Sequence, residues 1–117
     1  RKQMKTGAYF VPWPDGSAHQ VDALSNKVFQ PFSDLLIHDM GAANDDKRQM
    51  GGASGRFWRT TPLWGLRHKS NFWHDGASTT VEGAIYRHDG EGAASRDEWD
   101  ALPPFLKGLV LDFLASL

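Results

Sequence analysis

The sequence predicts an all-α fold in which short helices are joined by long loops. Two capping boxes, Thr79 with Glu82 and Ser95 with Glu98, mark helix starts in the last third of the chain. An apolar stripe at helical spacing then runs to residue 117, whereas the first half shows no sustained apolar period. Regular structure is therefore expected mainly at the C-terminal end.

The first half is expected to be loop-rich. Residues 1–31 are predicted to be irregular, because prolines and glycines favour turns there. A short helix is expected from Ser33 to Gly41, and the glycine-rich residues 41–56 are expected to form an exposed loop. Residues 57–64 contain Pro62, which argues against a helix and a central strand, so an extended segment is expected.

Three helices are predicted after residue 78. The first runs from about Thr80 to His88, and the second is a short helix through Trp99. The last begins at Pro103-Pro104, because proline is tolerated in a first helical turn. Its apolar residues share one stripe and are expected to be buried: Phe105, Leu106, Leu109, Val110, Phe113, Leu114 and Leu117.

Composition excludes several classes of function. The formal net charge is −1 and no basic stripe follows a predicted helix, so a nucleic-acid partner is not expected. No apolar run reaches the roughly 18 residues that span a membrane. The chain has no cysteine, which excludes disulfides, thiolate metal sites and covalent haem attachment within it. Its 5 Trp residues fit either a flat ligand pocket or an aromatic core.

The 5 histidines show no strong zinc spacing, and no nucleophile-elbow motif identifies a catalytic residue. His88 lies on the apolar face of its predicted helix, where a buried imidazole needs a partner. That partner is either a backbone carbonyl or a haem iron. Arg59, which follows Trp58, either stacks on an indole or holds a carboxylate such as a haem propionate.

Four segments together resemble a known family. They occur in the order in which that family carries them: residues 31–41, residues 58–66, a third segment made of residues 72–77, 82–85 and 88–91, and residues 113–117. Their sequences include HDMG, WRTTPLWGL, FWHDGA and FLASL. In this order they resemble the C-terminal region of the di-haem c-type oxidoreductases, also called thiol oxidoreductases, which are relatives of bacterial di-haem cytochrome c peroxidases.

The resemblance implies a cytochrome c-like helical domain that is incomplete without an upstream haem-attachment segment. Thr6-Gly7 resembles the family sequence that follows this segment, so the segment is expected just before Arg1. The chain is then the C-terminal part of one haem domain. It would comprise an irregular lead-in at 1–31, a loop-rich wall of the haem pocket at 32–78 and a helical part at 79–117.

The resemblance also implies site residues. His88 lies fourteen residues after His74, which is the family's distal axial position, and is expected to ligate the iron. Met40 is the second candidate for that ligand. Six residues are expected to bind the cofactor: Met40, Arg59, Leu63, Trp64, Trp73 and His74.

The function implied is electron transfer in a periplasmic di-haem peroxidase-like oxidoreductase. The cofactor would be haem c, attached covalently through a segment not in this chain. The expected partners are that segment and a redox protein, and whether the chain itself forms part of an enzyme stays open. The alternative is a haem-free structural or interaction subunit, which the lack of a C-x-x-C-H motif favours. A Trp-rich carbohydrate-binding module is a third hypothesis, against which the predicted helices argue.

Overall fold

The computed structural model describes residues 3–117 and contains both helices and antiparallel strands. Helix accounts for 31% of the chain and strand for 17%, so the fold is mixed α/β and the predicted all-α fold is wrong. Each strand is only two or three residues long. Such strands are too short for alternation of apolar and polar residues to form a recognisable pattern. The chain divides after Asp34 into two compact units.

The first unit is built from two antiparallel strand pairs. Strand β1 (Met4–Lys5) pairs with β4 (Val28–Phe29), and β2 (Phe10–Pro12) pairs with β3 (Ala18–Gln20). The turn between β2 and β3 is closed by the Asp15 carboxylate, which accepts a hydrogen bond from the Ser17 backbone N–H at 2.8 Å. This short-range polar turn chemistry sets the register of the hairpin.

The second unit begins with a strand where a helix was predicted. Strand β5 (Ile37–Asp39) pairs antiparallel with β6 (Phe57–Arg59), and His38 lies opposite Trp58. The helix predicted between residues 33 and 41 is wrong. Leu35 has a φ of 61°, which a right-handed helix does not accommodate. The extended conformation predicted for residues 57–64 is confirmed at β6.

The three predicted helices are confirmed, with changes at their starts. They are α1 (Val81–Tyr86), α2 (Ala93–Ala101) and α3 (Pro104–Ala115). The cap of α1 is Thr80, not the predicted Thr79, and its hydroxyl accepts a hydrogen bond from the Gly83 N–H at 3.0 Å. The predicted second capping box is wrong, because Ser95 lies inside α2 and no side chain caps that helix.

Three 3-10 turns complete the second unit: Ala42–Asn44, Leu66–His68 and Gly90–Gly92. The last of these connects α1 to α2 and packs against β5. Gly90 has a φ of 57°, and a Cβ atom there would collide with the carbonyl oxygen of Asp39. Glycine is therefore needed for this turn to approach the strand so closely.

The apolar core of the second unit is small. It contains Met40, which is 8% exposed, and Trp99, which is 5% exposed. The predicted burial of the α3 stripe is wrong, since Phe105 is 74% exposed and no residue of that helix is buried. Within residues 3–117, no helix is long and apolar enough to cross a membrane.

Candidate cofactor pocket

A concave cavity of about 600 Å³ lies in the second unit. Its walls come from β5, β6, the segment between β6 and α1, and the turn that follows α1. Met40 contributes a buried apolar surface, and Trp58, Phe72 and Trp73 contribute aromatic surface. A cavity of this size and lining suits a ligand with a large apolar body.

His88 reaches the cavity from just beyond the last turn of α1. Its Nδ1 atom lies 2.9 Å from the carbonyl oxygen of Ala84 and 3.2 Å from that of Ile85. A carbonyl can only accept, so Nδ1 carries the proton and donates it. In the neutral imidazole the lone pair then resides on Nε2. No hydrogen bond to this Nε2 is found among residues 3–117.

The environment of the His88 ring is tightly constrained. The ring of Trp73 approaches it edge-on, with the centroids 4.7 Å apart. On another side lies Gly92, where a Cβ atom would come within 3.2 Å of both the His88 Cβ and the Met40 Cε. A side chain at position 92 would therefore push His88 or Met40 from its place.

A second imidazole belongs to the aromatic wall. His74 stacks on Trp58 with the centroids 3.7 Å apart and the planes 13° apart. Trp73, the preceding residue, has a φ of 75°, a left-handed conformation that bulky residues rarely adopt. Such strain persists only where surrounding contacts hold the backbone in place. Here the Trp73 indole N–H donates to Asn44 at 3.0 Å, and the Arg87 guanidinium lies 5.5 Å from the ring centroid.

Charged side chains surround this wall. Arg87 makes a two-pronged ion pair with Asp75, at 3.0 and 2.8 Å, which lowers the pKa of Asp75 to about 2. His38 Nδ1 lies 2.8 Å from Glu91 Oε2, and this hydrogen bond is the main reason that the Glu91 pKa is lowered. Arg59 also lines the cavity, and its Nε atom donates to the Leu35 carbonyl at 3.1 Å.

The structure brings together six of the seven residues that the sequence singled out. These six line the cavity: Met40, Arg59, Leu63, Trp73, His74 and His88. Trp64 is half exposed and is not among the lining residues. The positions of these side chains do not test what they bind, so their ligating and cofactor-binding roles stay predictions.

Sequence reasoning missed several residues of the pocket, among them His38, Lys69 and Glu91. His38 precedes Met40 by two residues, and residues at this spacing share one face of a strand. The two-residue spacing of His38 and Met40 had no meaning for a helix, which was the structure predicted for this segment. Asn44 was missed because nothing in its loop sequence marks it as buried, yet it is 3% exposed.

The residues that line the cavity fit a flat cofactor that itself contains atoms coordinating a metal ion. Among residues 3–117, no group of three or more His, Asp or Glu side chains could hold a metal ion. The cavity offers the His88 imidazole, whose Nδ1 faces a backbone carbonyl, together with aromatic walls and the cations Arg59 and Lys69. A haem would supply four ligands to its iron from the porphyrin nitrogens, His88 is the side chain that would add another, and cationic side chains suit the haem carboxylates.

Of the comparisons with known proteins, the one with protein families found a match. The model of a protein family described as "di-haem oxidoreductase, putative peroxidase" matches residues 9–117. No curated protein and no solved structure matches the chain significantly. The family match covers the whole cavity and nearly all of the chain.

Proposed function

Because this chain belongs to the di-haem oxidoreductase family, we propose that its cavity holds a haem whose iron is ligated by His88. The domain would transfer electrons within a peroxidase-like oxidoreductase. The observation that carries this proposal is the tautomer of His88. Its Nδ1 proton is held by the Ala84 carbonyl, which leaves the Nε2 lone pair for a metal. Metal-binding histidines typically donate their other N–H in this way.

The walls of the cavity support the same proposal. Bound haem supplies a redox-active iron and two carboxylates. Trp73 and the Met40 thioether provide apolar surface near His88. Arg59 and Lys69 line the cavity and carry the charge that suits carboxylates, and the Nε atom of Arg59 donates to the Leu35 carbonyl.

Covalent attachment and a periplasmic location belong to the proposal as well. The chain has no cysteine, so thioether bonds would have to come from a segment outside this chain. The proposed partners are that segment and a redox protein. A second histidine from outside this chain would make the iron six-coordinate, and its role would then be electron transfer rather than reaction with peroxide.

The test is spectroscopic and uses the full-length protein purified from its own host. Haem in the protein should give an intense Soret absorption band. His88→Ala should convert low-spin iron to high-spin iron and shift its reduction potential, because an axial ligand is lost. The matched control is His19→Ala, which removes an exposed histidine of the first unit. An unchanged spectrum and potential in His88→Ala would remove His88 from the site.

The absence of cysteine also favours a second candidate, a haem-free structural or interaction subunit. The same purification distinguishes the two. A full-length protein without a Soret band, whose intact mass equals that of its polypeptide, would support this second function and exclude the first.

A further inference from the structure

Asn44 is a buried polar residue beside the cavity that takes part in four hydrogen bonds. It ends the 3-10 turn Ala42–Asn44 and is 3% exposed. Its Nδ2 donates to the carbonyl oxygens of Met40 at 2.6 Å and Arg87 at 3.0 Å. Its Oδ1 accepts from the Trp73 indole at 3.0 Å, and its backbone oxygen accepts from the Trp58 indole at 2.8 Å.

The chemistry of these partners determines how the amide must be oriented. An indole N–H can only donate, and a backbone carbonyl can only accept. The side-chain oxygen of Asn44 must therefore face Trp73, and its nitrogen must face the two carbonyls. An amide in the opposite orientation would break the hydrogen bonds to Met40, Arg87 and Trp73, and the unpaired group in the buried bond to Met40 would cost about 1–3 kcal/mol. The residue is thus held in one orientation by groups from three separate segments.

Both indoles that Asn44 anchors contact an imidazole in the cavity wall. Trp58 stacks on His74, and Trp73 makes a T-shaped contact with His88. Asn44 also binds the carbonyl of Arg87, the residue immediately before His88. A single buried side chain therefore connects the end of α1 to the aromatic wall that contacts the imidazoles.

We propose that Asn44 is a positioning residue that sets the orientation of the His74 and His88 rings toward the cofactor. It does not itself line the cavity. It acts by holding Trp58, Trp73 and the end of α1. The effect on a cofactor rests on the proposed function, whereas the effect on the rings of this chain does not.

The test compares Asn44→Asp with Asn26→Asp in the full-length protein. Asn44→Asp replaces the donating nitrogen by an oxygen that faces the carbonyls of Met40 and Arg87. Asn26 is exposed and lies in the first unit, so the same chemical change there is a matched control. Asn44→Ser is the second variant, which introduces no charge and serves if the first does not fold.

Two readouts separate positioning from stability. The indole ¹H–¹⁵N resonances of Trp58 and Trp73 report the hydrogen bonds to Asn44, with or without haem. The g values of the oxidised low-spin iron report the orientation of the axial imidazole plane. We expect the Asn44 variants to shift the Trp73 indole resonance and the g values, and the Asn26 control to shift neither. Unmoved indole resonances, or shifted resonances with wild-type g values, would overturn the proposal.

A protein that contains no haem would contradict the proposed function but would still test Asn44. Long-range ¹H–¹⁵N spectra of the imidazoles would then report the His88 tautomer. Loss of the uniform Nδ1–H form in the Asn44 variants supports the positioning role. A His88 tautomer that is the same in wild type, variants and control overturns it.

Discussion

The Nδ1 atom of His38 lies 2.8 Å from the Oε2 atom of Glu91 and joins β5 to the turn that follows His88. The other carboxylate oxygen of Glu91 accepts a hydrogen bond from the backbone N–H of Asp39 at 3.3 Å. Both His38 and Glu91 line the cavity. One carboxylate thus connects two walls of the pocket.

The first prediction concerns acid stability. The pKa of Glu91 in the folded chain lies below its ordinary value of 4.5, chiefly because His38 binds the carboxylate. Its stabilising contribution is therefore fully present above pH 4.5 and is lost as the pH falls through the lower, folded pKa. In thermal melts measured over an acidic pH series, we expect Glu91→Gln to lose less stability below pH 4.5 than the wild type, because it has no carboxylate to protonate. Glu98→Gln, an exposed change on α2, is the control and should follow the wild type. Identical acid profiles for wild type and Glu91→Gln would contradict the prediction.

The second prediction concerns the ion pair between Asp75 and Arg87. Because the pKa of Asp75 is lowered from 3.8 to about 2, its contribution is complete above pH 3.8 and is lost as the pH approaches 2. Asp75→Asn should abolish the loss of stability that protonation of Asp75 causes between pH 3.8 and about 2. The substitution should also release the Arg87 guanidinium from its position over the Trp73 ring. Near-ultraviolet circular dichroism at neutral pH would detect the changed tryptophan environment. Asp22→Asn is the exposed control, and an equal spectral change in both variants would rule out a specific effect of the ion pair.

The third prediction distinguishes two adjacent threonines. The Thr80 hydroxyl accepts the hydrogen bond from Gly83, so Thr80→Ala should lower the free energy of unfolding by about 0.5–2 kcal/mol. Thr79→Ala should change it by less than about 0.5 kcal/mol, as expected for an exposed residue without a capping role. Urea denaturation of the two variants provides the measurement. A larger loss for Thr79→Ala would place the start of α1 one residue earlier.

The fourth prediction compares Gly90, where a side chain would collide with the backbone, with Gly108, where a side chain would meet open space. Gly90 has a φ of 57° and packs against the Asp39 carbonyl, so Gly90→Ala should destabilise the fold by more than about 1 kcal/mol. Gly108 lies inside α3 with open space around its Cα, so Gly108→Ala should stabilise it by about 0.5–1 kcal/mol. A denaturation midpoint for Gly90→Ala that equals or exceeds that of the wild type would show that glycine is not required at the Asp39 contact.

The helices were predictable because their signals are local. Pro104 lies in the first turn of α3, and the polar residue that caps α1 lies within one position of the one predicted. Capping and proline effects involve neighbours in sequence, so no knowledge of the remaining fold is needed. The strand pairing of His38 with Trp58 joins residues far apart in the chain, and three-residue strands carry no periodic signal of their own.

In the candidate site, too, some residues could be predicted from the sequence and others only from the folded structure. The family resemblance implied site roles for His74 and His88, and the structure brings both to one cavity. Asn44 and Glu91 could not be singled out, because an amide or carboxylate acquires its role from partners that only folding supplies. The sequence by itself determined the helices, the lack of thiols and the imidazole expected to bind a metal. Tertiary structure alone decided the strand pairs and the exposure of α3, since both depend on contacts between segments that lie far apart in the sequence.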